Sequence, residues 1–548
     1  MPVCVAVLAP VSSCDRCRIR GIAAAANVRE RAVFQASRAA GIEPEVCVMR
    51  HVASGILSIG LLAASPPAHA SGRDIATLGV KPDVPACSSC HGAQGEGQPA
   101  AGIPRLAGMD SAYLSNQLSL FENGARKSDV MTPIATALSA DQRKAVADYF
   151  ASLKEPKPAK PSVPVTPEMA QGARLARDGD WPAGIPACSS CHGADGSGIG
   201  GAFPRLSGQS AQYIKAQLAA WRDGTRSGDP MDLMSTIARK LDDKQGDAAA
   251  QYFAALPNVP DDAADKATVT VASQSSPGSF TPLPDSAIPD DEFGEVVRLG
   301  RDIFRDTQHY AGRYVGNSLA CQSCHLDRGR MAGSSPLWAA YVSYPAYRAK
   351  NGHVNSYAER LQGCFRYSMN GKAPLPDSKT LVALEAYSYF LATGARVGDI
   401  KMQGRGYPAP PKPAQAMNYA RGEAVYAQHC ALCHGADGSG RATHGGKAGF
   451  PPLWGPKSFN WGAGMGDIKN AAAFVKANMP FSRAGTLSDQ DAWDVAMFVD
   501  SHERPQDPRF TGDVQSTRKK YHDEPTSMYG ERVNGRVLGE HSPPSGGH

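Results

Sequence analysis

Apolar residues recur at helical spacing in four stretches set at intervals of roughly 100 residues. They read SADQRKAVADYFASL (139–153), DDKQGDAAAQYFAAL (242–256), SKTLVALEAYSYFLATG (378–394) and SDQDAWDVAMFVDS (488–501), each with aromatic residues on its apolar face. Ser139, Ser378 and Ser488 stand where a helix needs an N-cap, with Gln142 and Asp491 in the first turn. Three units also open on a helix that carries glycine: Gly172 in EMAQGARLA, Gly300 in VVRLGRDIF and Gly422 in YARGEAVY. A residue without a side chain lets the last helix cross closely over the first. Phe304, Phe390, Tyr426 and Phe498 are the aromatics expected to pack there. The pattern predicts an all-α chain of four tandem units.

Breaks in the pattern set the boundaries. KEPKPAKPSVPV (154–165), the Pro-, Ser- and Asp-rich stretch 257–290 and RGYPAPPKPAQA (405–416) have no periodicity. The expected organisation is a leader 1–70, units 71–157 and 166–257, a linker 258–290, units 291–403 and 416–504, and a tail 505–548. The long middle linker groups the units into two halves. Within the leader, Arg50, the apolar run Val52–Ala64 and Ala68-His69-Ala70 read as a secretory signal that starts at Met49. The product is then expected without residues 1–70, exported to the periplasm, and without a membrane span.

Composition narrows the function. The formal net charge is +5 and lysine blocks are missing, so nothing points to nucleic acid. Hydrophobic residues make up 42% but aromatics only 7%, which is little for four separate cores unless something else fills them. Of the 13 cysteines, four lie in the leader (Cys4, Cys14, Cys17, Cys47) and eight fall in one repeated pattern. Cys364 is left over, which in an exported chain calls for an explanation.

The repeated pattern is C-x-x-C-H: Cys87–Cys90–His91, Cys188–Cys191–His192, Cys321–Cys324–His325 and Cys430–Cys433–His434. It is the attachment site of c-type haem, with two thiols for the vinyl groups and a histidine for the iron. Four covalently bound haem c groups follow, and they supply the apolar filling that the aromatics do not. The frame resembles class I cytochrome c, four tandem domains arranged as two dihaem halves.

Each iron also has a sixth position. Met131 in DVMTPIATALS and Met234 in DLMSTIARKLD occupy the same frame in units one and two, the Ile and Leu that follow selecting Met234 over Met231. Thioether ligands raise the potential and suit an electron carrier. In unit four, Met479 in KANMPF stands near the same spacing and is preferred to Met465. Unit three breaks the frame: Cys364, Met369 and His353 are all candidates, and spacing alone does not choose among them. Arg348, Lys350, Arg360 and Arg366 surround this cysteine, and arginine forks suit small oxyanions.

Residues 291–535 resemble tetrathionate-forming thiosulfate dehydrogenase, a dihaem cytochrome c family. The text that carries the resemblance is CQSCH (321–325), ERLQGCFRYSMNG (359–371), FPPLWGPKSFNWGAGM (450–465), NMP (478–480), DAWDVAMFVDSHERPQDPR (491–509) and KKYHDEPTSMYG (519–530). The resemblance implies Cys364 as an axial ligand at a catalytic haem, with Arg360 and Lys350 among the substrate-binding residues. Asn478 stands where some relatives carry a ligand lysine, which leaves Met479. Units one and two resemble the dihaem cytochrome that accepts electrons from this enzyme, fused ahead of it. The implied activity is oxidation of two thiosulfates to tetrathionate, with electrons leaving for an external cytochrome c or terminal oxidase. A tetrahaem wire without enzymatic activity and the reverse reaction, tetrathionate reduction, are the alternatives.

Overall fold

The structure is a computed structural model and describes residues 71–80, 82–155, 164–259, 263, 280–399 and 401–546. The leader with its four cysteines and most of the linkers after units one and two lie outside the described residues. Four helix pairs build the chain: Gly72–Leu78 with Ala140–Ser152, Pro167–Asp178 with Asp243–Ala255, Glu292–Arg305 with Lys379–Leu391, and Tyr419–His429 with Asp489–Asp500. Among the described residues the strands form only three two-stranded hairpins of two or three residues per strand.

The four closing helices start where their caps dictate. Ser139 and Asp242 form reciprocal capping boxes with Gln142 and Gln245, while Ser378 and Ser488 accept the amides of Leu381 and Asp491. The crossings depend on glycine. A Cβ on Gly172, Gly300 or Gly422 would run into the carbonyl oxygen of Ala248, Ala383 or Asp494. Gly72 meets Ala145 in the same way, a fourth crossing glycine that the sequence pattern did not single out. Tyr387, rather than Phe390, lies against Gly300, and its ring packs 6.1 Å from Phe304.

Units one and two meet through a near-symmetric polar core. Arg126 donates to Gln117, Tyr213 and Gln217, and Arg226 to Gln217, Tyr113 and Gln117, all within 3.3 Å. Both guanidiniums are buried, and each is satisfied by the other repeat's side chains as well as its own.

Unit two is tied to unit three by buried charge. Arg328, in left-handed backbone just after His325, pairs with Asp178 and reaches Asp285 at 3.4 Å. Arg330 also pairs with Asp285. Burial pulls the Asp285 carboxyl up, but Arg328, Arg330 and Arg301 outweigh it and hold the group well below the usual carboxylate range. The end of the middle linker is therefore docked: Phe280 packs 5.2 Å from Trp338, and Arg330 donates to the Leu283 carbonyl.

The tail clamps units three and four together. Trp461 Nε1 donates to Ser542 at 2.9 Å, and the Gly546 amide donates to Asn370 Oδ1 at 3.2 Å. Asn460 completes this clamp by donating to Asn370 Oδ1 at 3.1 Å and to the Arg366 carbonyl at 2.9 Å.

Candidate functional site

Each attachment pattern forms one tight turn, which brings two thiols and a histidine together. In units one, two and four the turn is a short helix, Ser88–His91, Ser189–His192 and Ala431–His434; in unit three it is the 3-10 turn Cys321–Ser323. All four histidines are fixed alike. Nδ1 of His91, His192, His325 and His434 lies 3.0, 2.7, 2.7 and 2.8 Å from the carbonyls of Pro104, Pro204, Ser335 and Pro451. A carbonyl there requires the proton on Nδ1 and leaves Nε2 free to ligate iron. Burial pushes His325 down to about 4, which keeps the ligating neutral form at working pH.

These turns open onto two cavities. One, of about 390 Å³, belongs to unit three and holds Cys321, Cys324, His325, Cys364 and Met369 on its walls. The other, of about 1570 Å³, runs through units one, two and four, with Met131, Met234 and Met479 lining it alongside the three remaining attachment turns. Leu319, Ala320, Cys324, Phe459 and Met465 face both cavities, so the unit-three and unit-four spaces share a wall. Apolar slots with paired thiols on a turn and an Nε2 aimed inward fit haem c. Cys87, Cys90, Cys188, Cys191, Cys321, Cys324, Cys430 and Cys433 would hold it. Met231, the other methionine of this stretch in unit two, lines the same cavity, and its carbonyl accepts from Arg483 of unit four at 3.0 Å.

Cys364 is set by a change of helix type. The helix Tyr357–Gly363, capped by Ser356 and Glu359, passes into a π-helical turn over Cys364–Ser368. Such turns are rare and frequent at functional sites. Arg360 sits one turn earlier and donates from Nη1 to Cys364 Sγ at 2.9 Å. The Cys364 sulfur is the first cause holding the Arg360 guanidinium above its ordinary range. The sulfur also acts across the cavity on the buried thiols Cys321 and Cys324, both pushed up to about 12, chiefly by burial. Met369 shares the cavity wall but packs into the apolar core with Phe365 and Leu361.

The predicted cations divide into two groups. Arg348, at the end of the strand Ala346–Arg348, and Arg360 line the unit-three cavity. Arg366 is exposed and Lys350 lies outside that lining. Arg366 comes two residues after Cys364, where the turn points to solvent. Much of the Lys350 side chain is exposed, but its amine packs 4.1 Å over the Tyr367 ring and donates to the Gly462 carbonyl. Burial of the amine, then the nearby Arg509, pushes Lys350 down to about 7. His353 is exposed and bound to Glu359 at 3.0 Å, away from the cavity.

Two features escaped the sequence. Arg405, from the Pro-rich linker, also lines the unit-three cavity. Arg509 from the tail also lies over the Tyr367 ring, at 5.2 Å, and is held by buried Asp507, which His522 also engages at 2.8 Å. The only sequence signal for these was the DPR text within the tail, and no local pattern connects it to Lys350.

Comparison with known proteins agrees with this arrangement. Residues 308–397 match the family model "SoxA/TsdA, cytochrome c domain", 417–499 match "Cytochrome C oxidase, cbb3-type, subunit III", and 83–154 and 170–257 match "Cytochrome c". The chain is 62% identical over 261 residues to a thiosulfate dehydrogenase of Thiomonas intermedia, covering 48% of this chain and 82% of that one. It is 51% identical over 180 residues to the thiosulfate dehydrogenase electron acceptor of the same organism, covering 33% of this chain and 82% of that one. The solved structure of the thiosulfate dehydrogenase TsdBA from Marichromatium purpuratum superposes with a TM-score of 0.79 at 45% identity, covering 86% of this chain and 98% of that one.

Proposed function

The chain belongs to the thiosulfate dehydrogenase family, with an electron-acceptor cytochrome fused ahead of the dehydrogenase, and from that premise we propose that Cys364 is the catalytic sulfur. The protein is an oxidoreductase that binds haem c covalently and oxidises thiosulfate. The observation that carries the proposal is the 2.9 Å contact between Arg360 Nη1 and Cys364 Sγ, inside the cavity that also holds His325.

In the proposed reaction Arg348 and Arg360 hold thiosulfate by its oxygens and screen the repulsion between two dianions. The Cys364 thiolate bonds the terminal sulfur of the first thiosulfate, and two electrons leave. Haem groups held by the attachment turns of units three and four would each accept one of them. The terminal sulfur of the second thiosulfate then attacks the sulfane sulfur held on Cys364. The bond to Cys364 breaks, tetrathionate departs, and the thiolate is regenerated. Arg360 Nη1 stays within hydrogen-bond reach of the sulfur that opens and closes the cycle. Met131, Met234 and Met479 would help to hold the haems of units one, two and four, respectively, and their neutral thioethers would favour the reduced form.

Among the described residues no helix is long and apolar enough to cross a membrane. Together with the secretory pattern at Met49, this supports export to the periplasm, where an external cytochrome c or terminal oxidase takes the electrons. The direct test is purified holoprotein with thiosulfate and ferricyanide. The expected product is tetrathionate, one per two ferricyanides reduced; ferricyanide left unreduced would refute the reading.

A pH effect follows from Lys350. Its folded value of about 7 makes the amine charged below that pH and neutral above it. The charged form attracts a dianion toward Arg348 and Arg360. KM for thiosulfate is therefore expected to rise as pH goes from about 6 to about 8. Lys350→Met should flatten that rise, as measured by initial rates at each pH.

A further inference from the structure

Unit four docks on unit two at the edge that carries the second attachment thiol. Cys191 and Cys433 lie in one apolar cluster with Ile199, Phe203 and Phe450, and the Phe203 and Phe450 rings are 5.1 Å apart. The hairpin Arg441–Ala442/Ala448–Phe450 of unit four follows the unit-two loop closely. His444 N donates to the Gly198 carbonyl at 3.1 Å, the Gly200 Cβ position lies 3.8 Å from Arg441, and Gly193 faces Thr443 at 3.2 Å. The same hairpin reaches across to unit one, where His444 Nε2 lies 3.8 Å from Asp110.

Units one and two are repeats related by the near-symmetric Arg126/Arg226 core, so this docking face has a counterpart. In the counterpart, Cys90 replaces Cys191, Gly97 replaces Gly198, Gln98 replaces Ile199, Pro99 replaces Gly200 and Ile103 replaces Phe203. The N-cap Asp110 of unit one is matched by Ser210 of unit two. Among the described residues no further unit packs on this counterpart as unit four packs on unit two; at its edge Ser210 of unit two donates to the Pro99 carbonyl at 3.1 Å. Cys90 is the one exposed attachment thiol, and Gln98 and Pro99 are exposed, whereas Ile199 is 1% exposed.

We propose that the face around Cys90, Gln98 and Pro99 is where electrons leave the protein, and that its occupant is a soluble monohaem class I cytochrome c. The occupant would present its attachment edge as unit four presents Cys433 to unit two. The partner class follows from the repeat, since the equivalent face already holds a domain of that class. The residue differences suit a passing partner. Ile199, Phe203 and Phe450 make a dry, permanent contact, whereas Gln98, whose Nε2 is bound to the Cys90 carbonyl at 2.8 Å, keeps the open face wet and releasable. The inference rests on thiosulfate-derived electrons moving outward through unit four and unit two to unit one.

The test uses full-length holoprotein reduced by thiosulfate and mixed with an oxidised bacterial monohaem class I cytochrome c in a stopped-flow instrument. Gln98→Glu combined with Pro99→Glu places two like charges on the docking face. It is expected to lower the second-order rate constant at least tenfold and to weaken binding of the zinc-porphyrin form of the same cytochrome, read by fluorescence. Gln98→Ile, which copies unit two, is expected to raise both. Ferricyanide turnover should be unchanged in each variant. Rates and binding equal to the parent protein in both variants would overturn the docking site. Loss of ferricyanide turnover in the parent protein would instead overturn the proposed activity.

Discussion

Replacing Cys364 by methionine is expected to leave all four haems attached and to abolish tetrathionate formation. Attachment depends on Cys321 and Cys324, which the change does not touch. Methionine still offers a sulfur, but a neutral one that cannot form the proposed bond to substrate. Loss of a residue that both ligates and bonds substrate is expected to cost at least ~10³-fold in kcat. A second consequence falls on Arg360, whose charge is held high first of all by the Cys364 sulfur. Without a thiolate it keeps a charged donor in the cavity with no anion beside it, at a cost of about 1.5–3 kcal/mol. Low-temperature electron paramagnetic resonance provides the readout that is independent of turnover. The narrow g-spread of His/thiolate ligation should be present in the parent protein and replaced by the wider His/Met pattern in the variant. Tetrathionate formation at the parent rate would rule out Cys364 as the catalytic sulfur.

What the sequence made legible was local. Caps at Ser139, Ser378 and Ser488, the closing helices and the attachment turns each depend on residues within a few positions of one another, so pattern and spacing are enough. Counting cations near Cys364 was a weaker guide, because sequence distance does not report which way a turn faces. Arg360 and Arg348 line the cavity, while Arg366, only two residues past the cysteine, faces solvent. The Asp178–Arg328–Asp285 cluster could not be read at all, since its members come from three separate segments and each alone looks like surface charge. The same holds for Arg509 and Lys350, which come together only where both pack on the Tyr367 ring. The π-helical turn at Cys364 also gave no sequence signal. It is held by Asn370 and Asn460, two further residues that become neighbours only after units three and four have docked.

Gly300→Ala is expected to destabilise unit three by at least ~3 kcal/mol, although the change adds a single methyl group. Helix propensity favours alanine by about 1 kcal/mol, so any loss has to come from the crossing. The added Cβ would run into the Ala383 carbonyl oxygen, which belongs to the backbone of the helix Lys379–Leu391 and has no rotamer to yield. The two helices must separate, and the separation passes on to Tyr387, one turn beyond Ala383. Tyr387 is fully buried, packs on Phe304 and donates its hydroxyl to the Arg328 carbonyl at 3.0 Å. Arg328 in turn holds Asp178 of unit two, so the methyl group should loosen the link between dehydrogenase and acceptor as well as unit three itself. Thermal melts followed by far-ultraviolet circular dichroism should show an early transition that the parent protein lacks. The control is Gly246→Ala in the helix Asp243–Ala255. There a Cβ would meet only the Leu218 Cδ1 atom at an ordinary 3.7 Å, and the melt should be unchanged or raised. Equal melts for Gly300→Ala and Gly246→Ala would mean that the helix crossing has slack that the close approach of Gly300 to Ala383 does not allow.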